Sequence, residues 1–230
     1  TNYIVVMPTN LYGPNDNFHL ENSHVMPAMM RKVYLARLLH EGDWETIGRD
    51  LNRRPVEGVD GTASHDSIIN VLQKYGISDN KVVLWGTGTP LREFLWSEDM
   101  ADASVHVLLN VDFKDIIGIE RYSSVHYGAS TDGAVDRDHS AGRGGAIPQL
   151  GEIRNCHINV GTGKEVTIRQ LSEMVAQATG FEGTIAFDAS KPDGTMRKLI
   201  DVEKLHRLGW RHSVELEDGV NRLFQWYKKV

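Results

Sequence analysis

The side chains best suited to chemistry lie in short polar segments that interrupt apolar runs. The first is Pro8-Thr9-Asn10-Leu11-Tyr12-Gly13-Pro14, which abruptly ends the β-branched stretch Tyr3-Ile4-Val5-Val6-Met7. Such a run predicts a buried strand delivering an ordered loop at its C-terminal end, and in open α/β sheets ligands sit at that end. Further such segments are Asn22-Ser23-His24-Val25-Met26-Pro27, Trp85-Gly86-Thr87-Gly88-Thr89-Pro90-Leu91-Arg92-Glu93-Phe94, Asn159-Val160-Gly161-Thr162-Gly163 and Phe187-Asp188-Ala189-Ser190-Lys191-Pro192-Asp193-Gly194.

Several chemistries are excluded by spacing. Neither Gly86-Thr87-Gly88 nor Gly161-Thr162-Gly163 completes a dinucleotide fingerprint, because the sixth positions are Leu91 and Val166 and no phosphate-loop Lys-Ser/Thr pair follows. Both segments predict tight turns. The 10 histidines offer no pair at metal-helix spacing and the single cysteine, Cys156, removes every multi-thiolate site, so no metal is expected. No Gly-x-Ser-x-Gly elbow supplies an acyl-transfer serine.

Regular elements must position these segments. Met26, Met29, Met30, Val33, Leu35, Leu38 and Leu39 recur mostly every three or four residues, predicting a core-facing helix over 26–39 with Asn22 or Ser23 as N-cap and Pro27 in its first turn. Residues 41–66 lack a steady period and are expected to be a loop or insertion, followed by a short helix over 67–75. Strands are expected at 81–85 and 92–96 around the turn 86–90, and Ser97 is expected to cap a helix reaching about Asn110. Residues 112–155, with few large apolar side chains over 123–145, predict a mobile surface excursion. A strand at 157–160, a helix capped by Thr167 and stopped by Gly180, a strand at 183–187, a polar loop at 188–197 and helices at 201–208 and 215–228 complete the chain. Strands alternating with helices define an α/β fold.

The formal net charge of -6 leaves no basic footprint of the kind that dominates nucleic-acid affinity, so no nucleic acid is expected. The sequence has no apolar run of about 18 residues, and no membrane partner is expected. One cysteine cannot form an internal disulfide, which suits a reducing cytoplasm.

In their order, the five segments resemble the extended short-chain dehydrogenases and, most closely, the GDP-L-fucose synthase family. The likeness extends over nearly the whole chain outside 41–80 and 112–155. It implies the end of a Rossmann-type doubly wound sheet plus the smaller α/β substrate-binding domain. Residues 1–20, about 81–110 and 155–163 would contribute to the sheet, while about 21–80 and 164–230 would form mainly the substrate domain, with insertions at 41–66 and 112–155. The implied activity is NADPH-dependent 3,5-epimerisation and 4-reduction of GDP-4-keto-6-deoxy-D-mannose.

By the same resemblance, Pro8, Thr9, Asn10 and Leu11 match the segment lying against the nicotinamide end of NADP(H), and His24 matches both a cofactor contact and the catalytic acid. An imidazole titrating near neutrality can protonate a carbanion beside a ketone. Val25, Lys32, Trp85, Arg92 and Asp193 match positions that hold the GDP-sugar, with Lys191 a further candidate. Cations at 32 and 92 suit a diphosphate and Trp85 offers a flat apolar face, so Lys32, Arg92 and Trp85 are expected to converge on one cleft. The family's glycine-rich loop, Ser-Tyr-Lys set and base cysteine precede the segment matched by Pro8, and Cys156 does not match that cysteine. The resemblance therefore implies a C-terminal portion, inactive alone, of an enzyme whose other half binds most of the NADP(H). It also implies a cytoplasmic homodimer for the whole enzyme. Alternative readings are another nucleotide-sugar epimerase or reductase, or a non-catalytic nucleotide-sugar-binding or interaction module.

Overall fold

The computed structural model describes residues 3–117 and 156–230, so most of the expected excursion at 112–155 lies outside the described residues. The chain opens with strands β1 (Val6–Pro8) and β2 (Asn10–Tyr12), then helices α1 (Val25–Glu41), α2 (Trp44–Arg53) and α3 (His65–Lys74). Strands β3 (Lys81–Trp85), β4 (Leu91–Arg92) and β5 (Phe94–Trp96) lead into α4 (Ser97–Asn110). After residue 156 come β6 (Ile158–Val160), β7 (Val166–Thr167), α5 (Ile168–Thr179), β8 (Thr184–Asp188), β9 (Arg197–Lys198), α6 (Glu203–Arg207) and α7 (Leu216–Tyr227).

The longer pairings are parallel: β1 with β6, β2 with β5 and β3 with β8. β4 lies between antiparallel β7 and parallel β9. Parallel neighbours require long crossovers, and here helices supply them. This is an α/β architecture with two apolar clusters. Leu95, Val107, Ile158, Val160, Leu205 and Trp210 join β5, β6, α4 and α6 in the smaller one. The larger one collects α1, α3, α5 and α7 around β3, including Val33, Leu72, Leu84, Leu171 and Leu223.

Local chemistry explains several boundaries. The Thr167 hydroxyl accepts from Gln170 N while the Gln170 side chain receives Thr167 N, a reciprocal capping box at the start of α5. Gly180 ends that helix in the left-handed region.

The structure corrects four expectations. Residues 41–66 are not a plain loop, because Asp43 caps α2 by accepting from Thr46 N and α2 turns Ile47 and Leu51 into the core. The expected strand 92–96 is split at Glu93, sending β4 and β5 to different sheets. The strand expected at 3–7 begins at Val6 and is followed by a second strand, β2. His24, rather than Asn22 or Ser23, holds the N-cap position of α1, and Trp96, rather than Ser97, holds that of α4, neither capping through its side chain.

One charged group sits in the middle of the larger core. Arg31 is fully buried on α1, and its guanidinium meets Asp50 of α2 at 2.7 Å. Its other donors include the carbonyl of Phe18 among their acceptors, at 3.3 Å. The Tyr227 hydroxyl of α7 donates to the second Asp50 oxygen. Burial, reinforced by the Asp50 charge, pushes the Tyr227 phenol well above its ordinary value, so it remains a donor. Asp50 thus fastens three helices. Asp50→Ala strands a desolvated guanidinium and is expected to cost about 3 to 5 kcal/mol in equilibrium urea unfolding. A loss no larger than the roughly 1 kcal/mol of a surface pair would refute this account.

Candidate functional site

The polar loop after β1 is held by groups from two later parts of the chain. Thr9 N donates to the Val160 carbonyl at 3.0 Å. The Asn10 amide donates to the Glu93 carbonyl at 2.7 Å, and the Thr9 hydroxyl reaches the same oxygen at 3.4 Å. Glu93 itself is completely buried. Its carboxylate accepts from Thr162 N at 2.6 Å, Gly163 N at 2.7 Å and Ile200 N at 3.2 Å. Gly161 is required by close approach, since a Cβ there would lie 2.3 Å from the Glu93 carboxylate. Sequence reasoning gave Glu93 no role, because a buried carboxylate satisfied by backbone donors leaves no pattern of charged neighbours.

Beneath this loop lies a cavity of about 500 Å³ lined by Pro8 through Asp16 together with His24, Val25 and Ser97. All five candidate cofactor contacts, Pro8, Thr9, Asn10, Leu11 and His24, are therefore brought together. His24 is exposed at the start of α1, where its carbonyl accepts the first helical bond from Ala28 N. Asp16 shares the cavity. Burial raises its carboxyl above the usual carboxylate range, opposed by the hydrogen bond from Asn17 N and the nearby His24.

Val25 also borders a second cavity of about 480 Å³, whose lining includes Lys32, Trp85, Lys74, Tyr75, Met29 and Ile168. Lys32 projects there from the second turn of α1, and burial pulls its ammonium below the ordinary lysine value. Among the described residues Lys32 has no hydrogen-bond or ion-pair partner. Lys74, by contrast, is neutralised by Glu57 at 2.6 Å. Trp85, at the end of β3, is 69% exposed, so it is a surface face rather than a core ring. Lys191 stands 5.7 Å from the centre of that ring.

Arg92 does not join Lys32 and Trp85, and the expected three-way convergence is corrected to two. Arg92 lies on β4 outside the lining of that cavity, donating to the Leu91 carbonyl at 2.7 Å. Asp193 is engaged as a clamp: its carboxylate accepts from Thr87 N at 2.6 Å and the Thr87 hydroxyl at 2.8 Å. Gly86, at φ 84°, has no room for a side chain, because a Cβ would lie 2.2 Å from the Asp193 carboxylate. The loop carrying Lys191 and Asp193 is thus tied to the end of the strand that presents Trp85. Cys156 lines neither cavity.

The chain resembles known proteins over nearly its whole length. Residues 1–119 match the NAD dependent epimerase/dehydratase family. The chain is 37% identical over 225 residues to the GDP-L-fucose synthase of Escherichia coli (strain K12), covering 98% of this chain and 48% of that protein. It is similar to the crystal structure of a GDP-6-OMe-4-keto-L-xylo-heptose reductase from C. jejuni, with TM-score 0.78, 35% identity, and coverage of 100% of this chain and 54% of that one. MlghC, a GDP-mannoheptose C4 reductase from Campylobacter jejuni solved with NADP bound, gives TM-score 0.73 at 34% identity, covering 99% of this chain and 53% of that one. The chain spans about half the length of the curated relatives it matches. These neighbours are Rossmann-like epimerase and reductase folds, consistent with the parallel pairing described above.

The Glu93 arrangement predicts a specific sensitivity. Glu93→Gln keeps the shape but turns an amide NH2 towards a backbone donor, and is expected to lower stability by about 1 to 3 kcal/mol. Chemical denaturation measures it, and an unchanged midpoint would remove Glu93 as the anchor of the loop.

Proposed function

The chain belongs to the NAD dependent epimerase/dehydratase family, and from that premise we propose that it carries the substrate-binding end of an NADPH-dependent epimerase-reductase of GDP-sugars. The reaction proposed is 3,5-epimerisation and 4-reduction of GDP-4-keto-6-deoxy-D-mannose to GDP-L-fucose. The observation that carries the reading is Lys32, a half-buried ammonium with no counter-charge among the described residues, lining one cavity together with the exposed ring of Trp85. A partly desolvated cation without a protein partner favours an anionic ligand. A diphosphate is such a ligand, and a flat aromatic face suits the rest of a nucleotide-sugar. Arg92 and Asp193 lie on neighbouring segments, so a role for either in binding depends on the loop 188–194 meeting the ligand.

The cavity under Pro8 to Leu11 lies where ligands sit in such sheets, and its Pro8, Leu11 and Val25 walls with His24 at the rim fit a nicotinamide ring. That ring, when bound, supplies hydride. Pro8, Thr9, Asn10 and Leu11 would hold it against the strand ends. His24 sits at the N-terminus of α1 with Val25 bordering both cavities, which suits it to return a proton to the sugar carbon next to the keto group. We assign the two clusters to the two parts of such an enzyme, β1, β5, β6 and α4 to the nucleotide sheet and α1, α3, α5 and α7 to the substrate domain. A homodimer of the whole enzyme and a reducing cytoplasm belong to the same proposal. Among the described residues no helix is long and apolar enough to cross a membrane.

A second reading, C4 reduction of a GDP-linked keto-heptose, is supported by the likeness to the heptose reductase at 35% identity. Incubation of the whole enzyme with NADPH and each keto-sugar nucleotide separates the two, the preferred substrate being the one with the higher kcat/KM.

Two outcomes test the site. His24→Gln is expected to lower kcat by about a hundredfold with little change in KM, as loss of a general acid does; wild-type turnover would leave His24 a structural residue. Lys32→Ala should weaken GDP-sugar binding by about 1.5 to 3 kcal/mol. Because burial lowers the Lys32 ammonium, binding should also weaken with rising pH earlier than an ordinary lysine would dictate, and Lys32→Arg, charged throughout, should abolish that dependence. Calorimetry with GDP-sugar across pH checks both, and unchanged affinity in Lys32→Ala would overturn the assignment.

A further inference from the structure

Where α2 and α7 end side by side, a cavity of about 290 Å³ opens over the buried Asp50 and Tyr227. Its rim carries Arg49, Arg53, Arg54, Lys228 and Lys229. This is a strong local excess of positive charge in a chain of net charge -6. None of the five forms an ion pair with a carboxylate among the described residues. Asp50, the acidic side chain in the lining, is already taken by Arg31 and by the Tyr227 hydroxyl, Arg49 donates from one arm of its fork to the Thr46 hydroxyl at 2.8 Å, and Val230 completes the lining.

Arg49, Arg53, Lys228 and Lys229 are exposed, and Arg54 is half-buried. Arg49 and Arg53 are four residues apart on α2, so they share a face and repel each other. Arg54 is held over the rings of Phe18 and Tyr227 at 5.4 and 5.2 Å, which fixes its guanidinium beside them. The C-terminal ends of α2 and α7 offset part of the charge, each contributing about half a negative unit. Two such ends offset about one cation of the five. The rest repel one another around a concavity with room for roughly ten waters.

We propose that this cavity is a binding site for a small phosphorylated anion, held by the forks of Arg49 and Arg53 with Lys228 and Lys229 closing over it. Arginine forks match phosphate oxygens in pairs, and the lysines add point charges from a second helix. The site stands on the opposite face of α1 from Lys32. Tyr34 lines the basic cavity and Lys32 the other one, and two residues of helix rotate a side chain by about 200°. Arg31, between them in sequence, is bonded to the floor of the basic cavity through Asp50. The inference is independent of the GDP-sugar proposal, since none of its residues lines that cavity.

The test uses the isotopically labelled chain titrated with sodium diphosphate, followed by amide chemical shifts at constant ionic strength. Saturable shifts confined to 46–54 and 227–230 are expected. Arg49→Gln combined with Arg53→Gln should weaken binding by about tenfold or more. The pair Lys228→Gln and Lys229→Gln, on a separate element, should weaken it as well, so a folding defect in one pair cannot decide the matter. A parallel titration with GDP distinguishes the sources. Shifts at the same amides with equal affinity mean that the phosphates alone are recognised, and tighter binding means that the nucleoside adds contacts. Shifts reproduced by sodium chloride at matched ionic strength, or diphosphate binding unaltered in both variant pairs, would overturn the proposal.

Discussion

The placement of the loop that lines the Pro8 to Leu11 cavity depends on the buried Glu93. Its backbone carbonyl receives the side chains of Thr9 and Asn10, and its carboxylate receives backbone donors from Thr162, Gly163 and Ile200. Among the described residues no cation pairs with it, so oriented N–H groups supply its solvation, and they can do so only if three segments distant in sequence stay in register. The same residue marks the break between β4 and β5. One of these strands continues into the sheet of β2, and the other joins β7 and β9. A single interaction therefore sets the loop after β1, the turn after β6 and the point at which the chain leaves one sheet for another.

Asp99 repeats the device on α4, where its buried carboxylate accepts from Ser213 N, the Ser213 hydroxyl and Val214 N. This pins the segment leading into α7 against the helix that follows β5. The two acids together use backbone amides in place of counter-ions. Sequence reading cannot see this directly, because the partners are N–H groups that every residue except proline carries.

Much of the fold was legible nonetheless. The apolar period of α1, the Thr167 box and the Gly180 stop each leave local chemistry in the sequence. α2 does carry a helical period, Trp44, Ile47 and Leu51, but it runs for only 10 residues inside a stretch rich in Gly, Arg, Asp and Asn, which hid it. Its cap, Asp43 with Glu45 in the first turn, was a further signal. For the site, the resemblance brought out the residues around both cavities, and Pro8 to Leu11 with His24 do share one of them. The sequence could not reveal that Lys32 has no partner among the described residues while Lys74 has one, or that Arg92 lies outside the lining of that cavity, because both depend on how distant segments pack.

α1 has one more consequence, which is metric. His24 stands at the N-cap position and Lys32 lies eight residues further on, so the helix axis separates them by about 12 Å at 1.5 Å per residue. α1 is thus a rigid gauge, clamped along its length by the larger core and by Arg31. A ligand that engages both ends must match that span, and one that is too short can reach the imidazole or the ammonium but not both. The gauge also carries a phase, because one residue inserted between the two would rotate Lys32 by about 100° away from the cavity. A ligand bound at both positions would thus be selected by its length through the helix itself.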